Sequence, residues 1–234
     1  MNSSLEFETY LSISSNKFEI FLLEIKKLKN LYQQDLELKN DIENIDLSIL
    51  SKFLDDNIFK IEKLAGTFIN DISIIVDNTK ILKTNLSIKK KNYSINVKDS
   101  FLENALTDIK DLFQENYKKN KLMHMIINKY LVNGINHPLH LTHENIKDIC
   151  LEVKLISISN EFTIEIDKIL KKYQVHANNY LDRNYIKSFF KDENLELSVK
   201  AYKLKNGINR NEVKIVSKYF KNKGIFEKFF QLFS

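Results

Sequence analysis

The apolar positions change period along the chain, and those changes divide it into elements. Phe7–Ser14 (FETYLSIS) alternates and is rich in β-forming side chains. Ser15-Asn16 suits a turn, Phe18–Leu23 continues as a second strand, and Leu28–Leu38 supplies a third, which makes an antiparallel meander. Ile49, Leu50, Phe53, Leu54, Ile58, Ile61, Leu64 and Ala65 then recur at helical spacing and form one apolar face. Asp46 or Ser48 can cap the start of that helix, and Gly66 suits the left-handed position that ends one. Strands are expected at Asp71–Val76 and Ile81–Ile88, parted by Asp77-Asn78.

A second helix is predicted from Ser100, where Ser100 and Glu103 have the spacing of a capping box. Its stripe is Phe101, Leu102, Ala105, Leu106, Ile109, Leu112 and Phe113. Strands follow at Leu122–Val132 and Cys150–Ser159, with Asn133-Gly134 and Pro138 in a loop between them. A third helix runs over Asn160–Tyr173, and a short strand over Val175–Leu181. Beyond it, Tyr185–Phe190 reads as a helical turn, Leu195–Leu204 alternates like a strand, Asn206-Gly207 turns, and Glu212–Val216 can pair back. No repeat of fixed period is present, and the mixture of elements is that of an α+β fold.

Composition narrows the function more than the fold. Hydrophobic residues make up 43% of 234 positions, enough to build a core. Four glycines and one proline leave no room for Gly-rich phosphate loops or long flexible linkers. The net charge of +5 comes with acids interleaved almost everywhere. The densest basic run is Lys89-Lys90-Lys91, with smaller groups at Lys26, Lys27, Lys29 and at Lys118, Lys119, Lys121. Each reads as a solvated surface, so no nucleic-acid partner is expected. The lone Cys150 provides no disulfide framework and suits a reducing cytoplasm. No apolar run approaches the ~20 residues of a membrane span, and no secretory signal opens the chain.

Candidate chemistry is thin. His137, His140 and His143 are spaced by three, with Cys150 after them. No CxxC or HExxH frame supports a metal site there, and surface-loop histidines are the simpler reading. His124 sits in a strand, where a satisfied or exposed histidine is expected. The carboxylate pairs Asp55-Asp56, Asp108-Asp111 and Asp192-Glu193 lie on polar sides of helices or in turns, and solvated charge accounts for them. No GxSxG elbow is present, and Cys150 reads as a strand residue rather than a nucleophile. No catalytic residue, cofactor or metal is therefore assigned, and the chain is expected to work by binding.

One segment invites a partner. In KYFKNKGIFEKFFQLFS, Phe226, Phe229, Phe230 and Phe233 fall at helical spacing, with Ile225 and Leu232 flanking. Lys218, Lys221 and Lys223 lead in, and Lys228 takes the other face. Aromatic rings on one side and lysines beside them form the pattern of an amphipathic helix lying in an anionic membrane interface.

The order of elements and four segments carry a resemblance. EKLAGTFINDISIIV (Glu62–Val76), KLMHMIINKYLVNG (Lys121–Gly134), CLEVKLISIS (Cys150–Ser159) and IDKILKKYQVHANNYL (Ile166–Leu181) occur in the order of matching segments in a known family. Over roughly residues 7–181 the chain resembles the FtsA family of bacterial actin-like cell-division proteins and, less closely, the pilus-assembly PilM proteins. The resemblance implies a partial actin-like subdomain over 1–95 and an inserted helix–strand–strand–helix–strand subdomain over 96–181. A small β element would follow over 182–217, then an amphipathic membrane-targeting helix over 218–234. It also implies where chemistry has been lost. The family's first phosphate loop falls on Ser12, Ser14, Ser15 and Lys17, with Ser12 in place of a metal-facing acid and Ser14 in place of a glycine. The second half of the actin fold has no counterpart, so the resemblance implies lost ATP binding and gives no support to a direct contact with the tubulin-like protein FtsZ. The implied function is a non-enzymatic adaptor at the cytoplasmic face of the inner membrane, at the division site. It would act through self-association or later division proteins. The alternatives are a pilus or secretion-apparatus adaptor of PilM-like fold and a diverged ATP-binding actin-like protein.

Overall fold

The computed structural model describes residues 6–38, 47–91, 100–138, 146–191 and 193–214. The chain forms two compact units, one of residues 1–81 and 158–208, the other of 82–157 and 209–234.

The first unit is built on a five-stranded sheet. Its strands are β1 (Phe7–Ser14), β2 (Lys17–Glu24), β3 (Lys29–Glu37), β4 (Asp71–Asp77) and β9 (His176–Asp182), in the order β3-β2-β1-β4-β9. The meander β1–β2–β3 is antiparallel, as its alternation and short turns predict. β1 and β4 pair in parallel, and so do β4 and β9. Parallel neighbours need a crossover, which α1 (Leu47–Ala65) supplies between β3 and β4.

Register sorts the side chains onto two faces. Leu11 opposite Ile20 and Ile13 opposite Phe18 share one face, while Tyr10 opposite Phe21 and Ser12 opposite Glu19 share the other. Phe18 meets Phe53 of α1, with ring centroids 6.2 Å apart. α3 (Asn160–Lys171) lies on this side too, since Tyr173, just beyond it, donates to the Ser51 carbonyl (2.8 Å) and to Asp55 (2.8 Å) of α1. The opposite face is covered by α4 (Arg183–Phe189) and α5 (Leu197–Lys205). Arg183 reaches Ser12, Lys205 reaches Glu8 and Ser198 donates to Asn30. A sheet with helices on both faces explains why β1 and β2 are almost continuously buried rather than alternating.

The second unit has a four-stranded sheet, β5-β8-β6-β7, from β5 (Leu82–Lys91), β6 (Asn120–Val132), β7 (Ile135–Asn136) and β8 (Asp148–Ser159). α2 (Ser100–Asn116) lies on one side, with Ala105, Leu106, Ile109 and Phe113 packed on Met125, Ile127, Ile149, Leu151, Val153 and Leu155. Asn133-Gly134 makes a tight β6–β7 hairpin, both residues having positive φ (51° and 82°), as two-residue hairpin loops require.

Four expectations need correction. β5 does not extend the first sheet but pairs antiparallel with β8 in the second, from Leu82 opposite Ser157 to Lys91 opposite Asp148. α3 and β9 belong to the first unit, so the boundaries expected at 96 and 181 do not fall where the two units divide, at 81/82 and 157/158. Parallel pairing of β9 on β4 is the cause, and nothing in the local pattern of either strand announces it. Among the described residues of the expected small β element, 183–189 and 197–205 are the helices α4 and α5, and Leu195–Leu204 is not a strand. It is α5, whose buried Val199, Ala201 and Leu204 fit a helix as well as an alternating strand over so short a run. Leu64, expected inward, is half exposed.

Truncating Ile109 to alanine removes a fully buried side chain from the centre of the second unit's core and should destabilise it by about 2–5 kcal/mol. Urea unfolding with a probe in that unit measures the loss.

Candidate functional site

The C-terminal ends of the three parallel strands converge in the first unit. Ser14 of β1 is opposite Asp77 of β4, and Val76 of β4 is opposite Asp182 of β9. In open α/β sheets the space beyond such strand ends is where ligands bind. All four residues assigned to the degenerate phosphate loop lie here: Ser12 and Ser14 on β1, Ser15 in the turn, Lys17 opening β2.

The turn is closed upon itself. Ser14 Oγ donates to the Lys17 carbonyl (2.8 Å) and also lies 2.9 Å from Asn16 Oδ1. The Leu38 N–H donates to the Asn16 carbonyl at 2.8 Å, tying the end of β3 to the turn. Positive φ occurs at Leu28, Asn133, Gln174, Gly66, Gly134 and Gly207, and at none of residues 12–17. A nest of converging backbone N–H groups of the αR-αL kind needs such a left-handed residue, so residues 12–17 form no nest of that kind.

The neighbouring side chains are committed to one another. Arg183, at the start of α4, holds Nη2 2.7 Å from Glu19 Oε2 and donates from Nη1 to Ser12 Oγ at 3.2 Å. The Arg183–Glu19 approach is short but poorly aligned for a hydrogen bond, so charge holds the pair. Both side chains are nearly buried, at 14% and 9% exposure. Lys17 continues the chain of charges, 3.6 Å from Glu19 and 3.0 Å from Asp35 of β3. The hydrogen bond to Asp35 holds the Lys17 ammonium above its ordinary pKa, against a smaller opposing effect of burial. Asp182 caps α4 by accepting from the Asn184 N–H (3.0 Å), and Asn184 Nδ2 donates to Asp77 (3.0 Å).

Sequence reading missed this network. The signal was available: Arg183 is one of only two arginines in a lysine-rich chain. Arginine is the cation suited to a desolvated contact, because its guanidinium is weakly hydrated.

Other shifted groups move away from neutrality. Burial pushes the phenols of Tyr10 and Tyr180 far up, helped by the carboxylates of Glu8 and Asp167 beside them. Tyr32, Tyr130, Tyr173 and Tyr202 move up as well, chiefly through burial. Tyr10, Tyr32, Tyr173 and Tyr180 donate hydrogen bonds from these phenols, and an upward shift does not poise a phenol for proton transfer near pH 7.

The remaining sequence candidates disperse. His137 follows β7, its N–H bonded to the Tyr130 carbonyl, while His140 and His143 lie outside the described residues. Among the described residues no group of three or more metal-ligating side chains occurs. Cys150 lies on β8 opposite Lys89. Asp55 accepts from Tyr173, and Asp108 pairs with Lys90. His124 is fully buried on β6, its Nδ1 2.6 Å from Glu212 Oε1. The candidate membrane residues Lys218, Lys221, Lys223, Ile225, Phe226, Lys228, Phe229, Phe230, Leu232 and Phe233 lie outside the described residues. Among the described residues no helix is long and apolar enough to cross a membrane.

No family model and no curated protein matches the chain. Solved structures do. The PilM–PilN type IV pilus biogenesis complex aligns over 78% of this chain and 49% of its own, with 9% identity and a TM-score of 0.51. This chain has a partial actin-like fold. Weaker likenesses are to the cytoplasmic domain of EpsL, an inner-membrane component of the Vibrio cholerae type II secretion system. That alignment has 6% identity, 77% of this chain, 59% of that one and a TM-score of 0.38. A Bacteroides thetaiotaomicron protein with an actin-like ATPase fold and unknown function follows, with 11% identity, 80% of this chain, 56% of that one and a TM-score of 0.33. The chain thus spans about half the length of these structures.

Replacing Arg183 with alanine leaves the nearly buried Glu19 with only Lys17, 3.6 Å away, as a counter-charge and should cost up to about 3–5 kcal/mol of stability, whereas an exposed pair would cost under about 1 kcal/mol. Adding Glu19→Gln should recover part of that loss in a double-mutant cycle read by urea unfolding.

Proposed function

We propose that this chain is a non-enzymatic adaptor, acting through protein contacts in a membrane-associated assembly of the pilus or secretion-apparatus kind. The observation that carries this reading is the occupied strand-end crevice. A self-bonded turn and the buried Arg183–Glu19 pair fill the place where the sequence resemblance puts a phosphate loop. An adaptor needs the shape of the fold and not its chemistry. The fold likeness to the PilM–PilN complex supports this assembly class over cell division, for which the support is the four short sequence resemblances. The partners are proteins of such an assembly, together with an anionic membrane surface at the cytoplasmic face of the inner membrane. The lysines and phenylalanines of 218–233 would meet that surface.

Calorimetric titration with ATP and magnesium should show no binding, and a micromolar affinity would sink the non-enzymatic reading. In cells, a tagged chain should form polar or peripheral foci, whereas a midcell band would return the argument to division. Phe226→Asp or Phe229→Glu should abolish flotation with anionic liposomes, and unchanged flotation would remove the membrane role of that segment.

A further inference from the structure

The second unit takes in residues from far along the chain. Besides 82–157 it includes a return segment that begins at Asn209, soon after α5. β7 pairs with β6 at Leu131 and Val132. The return segment pairs with β6 further back, at Met125–Ile127. There the Ile127 N–H donates to the Asn211 carbonyl and the Val213 N–H to the Met125 carbonyl, both at 2.8 Å. These two bonds flank Ile126 and Glu212, which form an antiparallel bridge. Ile126 and Glu212 are therefore a non-hydrogen-bonded pair, the kind whose Cα atoms approach to about 4.5 Å.

The backbone hold is slight, and the side chains make it selective. His124 is fully buried, and Glu212 Oε1 lies 2.6 Å from its Nδ1. Val213 packs against the core beneath α2. An occupant of this position needs a carboxylate in register with His124 and an apolar side chain one residue later. Vacating it exposes apolar surface and takes the carboxylate from a buried imidazole, so the position favours being refilled. The connection into the segment is short and conformationally demanding. At the end of α5 the Gly207 N–H donates to the Leu204 carbonyl (3.0 Å) and the Ile208 N–H to the Lys203 carbonyl (3.2 Å). That pattern ends a helix with a left-handed residue, and Gly207 has a φ of 85°. The first unit ends at Ile208 and the second resumes at Asn209, so the chain passes from one to the other at this turn.

We infer that Asn209–Lys214 is an exchangeable strand, and that β6 accepts it at Met125–Ile127 from a second copy of the chain, in a reciprocal dimer hinged at Gly207. Opened at that turn, the segment leaves one copy and remakes the same bonds in the other, which is a low-cost route to a dimer. The buried His124 selects the occupant. A second copy brings the Glu212 carboxylate and the Val213 side chain in the required register, whereas an unrelated extended segment does not. The exchange goes beyond the adaptor reading and does not depend on it.

The test is disulfide trapping in the full chain. Ile126→Cys/Glu212→Cys, in a Cys150→Ser background, is oxidised over a range of protein concentrations and run on a non-reducing gel. The closed form gives a cross-linked monomer, and the exchanged form gives a cross-linked dimer whose share rises with concentration. Gly207→Val strains the closed turn and not the opened one. It should tighten dimerisation about a hundredfold in sedimentation equilibrium, from about tenfold at each of two hinges. Gly207→Asn tolerates the left-handed region and should shift the equilibrium far less. Adding Glu212→Lys to Gly207→Val should return the chain to a monomer. Intrachain cross-links alone at every concentration would overturn the inference. So would a Gly207→Val dimer that survives Glu212→Lys, which would put self-association on another surface.

Discussion

The parallel pairing of β9 on β4 is the contact on which the rest of the structure depends. It joins residues about a hundred positions apart, as in the 2.9 Å bond from Ser73 Oγ to Asn178. Closing so long a loop costs conformational entropy that grows only slowly with length. The sheet repays it with a row of buried hydrogen bonds and the burial of Ile72, Ile74, Tyr180 and Leu181. Once β9 is in place, α3 must lie over α1, and Asp182–Arg183 must arrive at the open ends of β1 and β4. The intervening 82–157 is left to fold as a unit with its own core.

That arrival decides the chemistry. A guanidinium brought to buried Ser12 and Glu19 is matched by one carboxylate and one hydroxyl, and it completes a line of alternating charges from Asp35 through Lys17 and Glu19. A buried pair of this kind adds little net stability over an apolar pair, yet neither partner can be lost cheaply. Through it α4 is tied to β1 and β2. The same contact places buried protein charge at the C-terminal ends of the parallel strands.

Much of the local structure was legible. Gly66, with φ of 70°, ends α1 where the periodicity stops, and Asn133-Gly134 turns because both residues adopt left-handed backbone. The three meander strands and α1, α2 and α3 follow from their apolar spacing. The misreadings have two causes. Leu195–Leu204 is too short for its period to separate helix from strand, and packing on β2 decided for helix. The resemblance put β5 in the first subdomain, whereas its ten-residue register with β8 turns Leu86 and Ile88 toward α2. At the candidate site, only the family resemblance pointed to Ser12 and Ser14, as positions of a degenerate phosphate loop. Arg183, some 170 positions away, could not be assigned to them.

The sequence by itself determined the elements, because hydrophobic period and capping act over a few residues. It also determined that residues 12–17 contain neither a glycine nor an acid. Only the tertiary structure decided which strands share a sheet, which unit receives α3 and β9, and what fills the crevice. Those outcomes depend on pairings across the insertion, where the competing arrangements have the same local pattern and differ only in what they bury.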